Sequence, residues 1–166
     1  MAHDEKPYSA PERDMAIAYL DACREGVITK LEGLSEGQAR EKKPRPAANH
    51  LVGIVNHLGW VEAWWFRHVF AGEAVDFPWS DDNPNADFNP PESMMGVDAV
   101  AFYRSESARS NEIIRAAPTL DDEAATETRR GHTTLRWILF HMIEETARHA
   151  GQADIIREMI DGSVSE

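Results

Sequence analysis

Cysteine is nearly absent: Cys23 is the one thiol in 166 residues. A lone thiol closes no internal disulfide, and without a C-x-x-C pair there is no thiolate metal site or redox couple. Cys23 is expected as a small core residue of the first helix, in a reducing cytoplasm. Positive charge is also scarce. Lys and Arg number 17 against 29 Asp and Glu, a net charge of −12, and the pI is about 5.0. Nucleic acid and anionic membranes are therefore excluded as expected partners, because no basic stripe exists to release counterions. No uncharged apolar run approaches the length that spans a bilayer. The opening residues, MAHDEKPYSAPERD, lack an apolar stretch, so no secretory leader is expected. There is no P-loop, no G-x-G-x-x-G, no N-x-[ST] sequon and no internal repeat. What remains is one acidic domain, 1–166, whose 42% apolar content suffices for a single core.

Apolar residues recur at helical spacing in four segments. The first spans 11–33, with Met15, Ala18, Tyr19, Ala22, Val27 and Leu31 as its inward stripe. The sequence from Leu34 through SEGQAR is expected as a turn, and Lys42, Lys43, Pro44, Arg45 and Pro46 as a basic, proline-broken loop. The second helix spans 48–71, capped by Asn49. Residues 71–96 hold several prolines, but Phe77, Trp79 and Phe88 mark them as an ordered crossover rather than a free linker. The third helix spans 97–117, with Val100, Tyr103, Ser107, Ile113 and Ile114 inward and Pro118 as its stop. A polar loop follows over 121–131. The fourth helix runs from a Thr133 or Thr134 cap to Gly162. The expected fold is all-α: an up-down four-helix bundle with one long crossover between its second and third helices.

The fourth helix carries a costly feature. Leu135, Ile138, Met142, Ala153, Ile156 and Ile160 project within about 40° of His149, and so does Glu145. A carboxylate and an imidazole one turn apart thus occupy a face built for burial. An ionised carboxylate there needs a partner or a metal. Two readings fit: two ligands of one divalent ion, or a buried Glu–His hydrogen bond that only fixes packing. On the second helix His57 is central on a face shared with His50, Val61, Trp64 and His68, with Trp60 nearby. His50 lies about 10.5 Å from His57 along the axis, so at most one of the three histidines joins the Glu145–His149 pair.

The runs HLVGIVNHLGWVEAWWF and LRWILFHMIEETARHAGQADIIRE resemble the DinB/YfiT superfamily of metalloenzymes. They look most like its DinB-like branch of unknown function, which includes proteins called mini-circle proteins. The resemblance covers nearly the whole chain. It implies that His57, Glu145 and His149 bind one divalent metal, zinc by default and nickel as the alternative. Many members use three histidines; a carboxylate at the Glu145 position resembles the mycothiol-dependent maleylpyruvate isomerases. The isomerases carry a C-terminal domain without a counterpart here, so thiol transfer rather than isomerisation is expected. On this resemblance a low-molecular-weight thiol such as mycothiol is the co-substrate. It attacks a small electrophile held against Trp60 and Trp64. His141, Arg148 and Gln152 are expected to support the ligands from outside. Two other functions use the same residues: metal binding in a stress response without turnover, and metal-dependent hydrolysis.

A homodimer is also expected. Leu51, Val52, Val55, Phe66 and Val69 point away from the His57 face and need cover from a neighbouring helix or a second subunit.

Overall fold

A computed structural model of the protein describes residues 6–44 and 49–164. Five α-helices form it, with no strand among the described residues. α1 is Glu12–Ile28, extended by a 3-10 turn over Thr29–Leu31. Gly33, at φ 74°, reverses the chain where L-residues are strained. The expected turn that follows contains a short helix, α2 (Glu36–Ala39). Ser35 and Gln38 cap it reciprocally through side chain and backbone. The expected basic loop is described only through Pro44; Arg45, Pro46 and the expected helix start at Ala48 lie outside the described residues.

α3 (Leu51–Glu62) continues without a break into a π-helical segment, Ala63–Phe70. Its cap is His50, not Asn49. The His50 Nδ1 accepts a hydrogen bond from the Gly53 N–H at 3.0 Å, a role more often filled by a short polar side chain. The crossover then runs to α4 (Gly96–Ala116), with a 3-10 turn at Ala86–Phe88. α5 (Leu135–Asp161) starts at the Thr134 cap, as expected, and ends at Gly162 with φ 77°.

α1 packs along α5, α3 along α4, and α3 also meets α5. Two apolar clusters result. One gathers Leu20, Phe66, Ile114, Leu135 and Met142. The other gathers Val27, Leu51, Val55, Tyr103 and Ile156. The inward stripe of α1 differs from expectation. Ile17, Leu20, Arg24, Val27 and Ile28 are buried, while Tyr19 is 42% exposed. The reason is Arg24, which disguises the stripe in sequence. Its guanidinium makes a two-pronged ion pair with the fully buried Glu62, at 2.8 and 2.7 Å. An arginine reads as a surface residue unless its carboxylate is known.

The five residues of α3 and the π-helical segment after it that pointed to a second subunit, Leu51, Val52, Val55, Phe66 and Val69, are all buried by the chain itself. They therefore place no demand on a partner. Cys23 is half-buried rather than a core residue, and desolvation pushes its thiol pKa up. Among the described residues, no helix is long and apolar enough to cross a membrane.

Candidate metal centre

His57 comes from the middle of α3, and Glu145 and His149 from successive turns of α5. Their ligand atoms all lie within 4.8 Å of one another. Glu145 Oε1 is the meeting point: it is 3.0 Å from His149 Nε2 and 3.5 Å from His57 Nε2. Two ligands each about 2.0–2.1 Å from one ion sit roughly this far apart. His149 is 3% exposed and Glu145 9%.

A fourth residue decides how His57 presents itself. Asp87, from the 3-10 turn of the crossover, places Oδ2 2.7 Å from His57 Nδ1. An ionised carboxylate only accepts, so Nδ1 carries the proton and donates it. Nε2 is left as a lone pair, buried and without a hydrogen-bond partner, facing the Glu145 carboxylate. Two acceptors face each other there. Only a proton or a metal cation between them makes that arrangement favourable. Burial pulls the His57 pKa down, but the hydrogen bond to Asp87 and the facing Glu145 carboxylate outweigh it and the pKa is raised. Glu145 is held well below the usual carboxylate range by its hydrogen bond to His149 and by the His57 ring facing it, against desolvation. Arg148 covers the outer oxygen, Oε2, so Oε1 is the atom offered inward.

The crossover turn is seated on α3 by consecutive contacts. Asn56 Nδ2 donates to the Asp87 carbonyl at 2.6 Å. The Phe88 ring stacks on His57 with centroids 3.8 Å apart and planes 17° from parallel. Gly53 permits this approach: a Cβ there would lie 2.3 Å from the Phe88 carbonyl oxygen.

A sequence model of a family described as mycothiol-S-transferase matches residues 15–162. The chain belongs to the mycothiol-S-transferase family. Its fold is DinB-like. A conserved protein from Enterococcus faecalis, known from its crystal structure, superimposes with a TM-score of 0.68 at 15% identity. That match covers 93% of this chain and 100% of the other, and it shows the fold alone. No curated protein matches the chain.

Within this member of the family, the other expected site residues divide. Arg148 does touch Glu145. Gln152 is partly buried on α5, one turn beyond His149, and no hydrogen bond joins it to the site among the described residues. His141 turns aside: it stacks on Trp137, with centroids 5.0 Å apart, and lies edge-on to Trp65 at 4.9 Å. Trp60 and Trp64 form an aromatic cluster with Phe77 and Trp79 of the crossover. His50 is spent on its cap, and His68 packs into that cluster against Trp64.

Asp87 is the residue that sequence reasoning missed. The aromatic-studded crossover signalled order, but among its many Asp and Asn residues nothing distinguished the one that reaches α3. Gly33–Leu34–Ser35–Glu36–Gly37 fits the G-x-S-x-G form of a nucleophile elbow. Ser35 here caps α2, its Oγ hydrogen-bonded to Gln38, and among the described residues no strand precedes it as that motif requires.

Proposed function

We propose that the protein binds a divalent cation through His57, Glu145 and His149 and transfers a mycothiol-type thiol to a small electrophile. The observation that carries this reading is the pairing of His57 Nε2 with Glu145 Oε1 across 3.5 Å while Asp87 already holds Nδ1. Family membership supports the choice of thiol. Zinc suits two imidazoles and a carboxylate, with nickel the alternative. The four long helices, α1, α3, α4 and α5, are read as an up-down four-helix bundle whose long crossover delivers Asp87 to the site.

A divalent cation held by His57, Glu145 and His149 would supply Lewis acidity that keeps a thiol in its thiolate form at neutral pH. The residues of the chain do the rest. Asp87 fixes the tautomer and ring plane of His57. Arg148 orients Glu145 from outside. Trp60 and Trp64, walled by Phe77 and Trp79, offer an apolar surface to the electrophile. In the transfer the thiol sulfur bonds to the electrophilic carbon. The leaving group departs with the electron pair of its bond, and the thiol proton passes to solvent.

The test incubates zinc-loaded protein with mycothiol and a chloro-aromatic or bimane electrophile. A thioether product that EDTA abolishes is expected. Stoichiometric metal without conjugation of mycothiol, bacillithiol or glutathione would retain the metal site and end the transferase reading.

A further inference from the structure

A groove of about 520 Å³ reaches His141, one turn of α5 before Glu145. Its floor is aromatic: Trp65, Trp137 and His141. Trp137 is 45% exposed although it is large and apolar, and Trp65 meets it with centroids 5.3 Å apart. The rim is the loop 128–133, which carries Arg129 and Arg130. Both are exposed. Neither guanidinium has a carboxylate partner among the described residues, in a chain where acidic groups outnumber basic ones 29 to 17. Unpaired arginines beside an exposed indole, Trp137, and a partly buried one, Trp65, are unusual against such a background, and both chemistries recognise planar anions.

The loop is anchored rather than loose. Ala125 and Thr126 donate backbone hydrogen bonds to Phe70 and Val69 at 3.0 Å each. Thr128 and Gly131 close a tight turn through reciprocal backbone bonds of 3.0 and 2.9 Å. The arginines are thus presented on a fixed frame.

We propose that this groove binds a planar aromatic anion. The ring lies on Trp65 and Trp137, and the carboxylate or sulfonate lies against Arg129 and Arg130. The electrostatics set its direction. At the inner end His141 sits one turn, about 6 Å along α5, from Glu145, and feels the Glu144 and Glu145 carboxylates. An anionic group is drawn to the two unpaired guanidinium groups of the rim at the other end. The uncharged end of the ligand therefore points towards the metal centre. If the thiol-transfer reading holds, and the groove's catalytic role rests on it, an electrophile that carries an anionic group is seated here rather than on the Trp60–Trp64 surface.

The probes are 2-naphthoate and its uncharged analogue 2-naphthylmethanol, titrated into native and EDTA-treated protein by calorimetry. Naphthoate should bind both forms alike and more tightly than the alcohol. The double variant R129Q/R130Q, altered only on an exposed rim, should raise the naphthoate Kd roughly tenfold and leave the alcohol unchanged. Trp137→Ala should weaken both. Loss of naphthoate binding on EDTA treatment would place it on the metal instead and overturn the proposal. So would unchanged affinity in R129Q/R130Q. Absence of transferase activity with naphthoate binding intact would remove only the catalytic role.

Discussion

Asp87 and His57 are joined at 2.7 Å across a sequence separation of 30 residues. That bond turns an ordinary helix histidine into one whose free nitrogen must face a carboxylate. Replacing Asp87 with Asn keeps the volume and removes the charge. The amide can still accept from Nδ1, but more weakly. Zinc affinity, measured by competition with a chromogenic chelator, should fall about 10- to 100-fold. Unchanged affinity would show that His57 needs no such support.

Glu145→Gln removes the charge that the site concentrates on Oε1. Elemental analysis should find less than stoichiometric metal. The melting temperature of the metal-loaded protein should fall towards that of the metal-free form. His149→Ala should do the same. If both variants keep a full equivalent of metal, the three residues are a buried hydrogen-bonded group and nothing more.

Gly53 and Gly151 make a controlled pair. A Cβ at Gly53 meets the Phe88 carbonyl at 2.3 Å, whereas one at Gly151 meets nothing within 4 Å. Gly53→Ala should cost about 1–3 kcal/mol and loosen the Asp87 turn, lowering metal affinity as well. Gly151→Ala, inside α5, should stabilise by about 0.5–1 kcal/mol through helix propensity alone. Urea unfolding of both variants checks the difference, which disappears if the crossover does not press on α3.

The Arg24–Glu62 pair has 3% and 0% exposure. Glu62→Gln leaves Arg24 charged in the core with one acceptor fewer, and should destabilise by about 3–5 kcal/mol. The double change Arg24→Met with Glu62→Leu should recover much of that loss. A loss below about 1 kcal/mol for Glu62→Gln would mean that water reaches the pair.

His50 makes stability depend on pH. Desolvation, with Arg40 and Lys42 nearby, lowers its pKa from 6.5 to about 4. Between those values the unfolded chain takes up a proton that the folded chain refuses. Stability from this group is therefore full above pH 6.5 and falls as pH drops to about 4, by roughly 3 kcal/mol in all. His50→Asn keeps a helix cap without a titrating ring and should flatten that part of the profile. A variant curve parallel to the parent's would assign the dependence to other groups.

The residues determined the helical class, the four long helices and their approximate ends, because period, caps and proline stops act over one or two turns. Thr134, Pro118 and Gly162 were readable for that reason. The Glu145–His149 pair was readable too, since spacing alone places both on one face. Tertiary structure decided the rest. Arg24 became a core residue only through Glu62, 38 positions away. His141 left the metal centre for Trp137 and Trp65. Asp87 became part of the site because Gly53, Asn56 and His57 receive the crossover on one face of α3. Each of these depends on which surfaces meet, and the energy of a buried charge or an orphaned lone pair is set by the group opposite it, which no local pattern names.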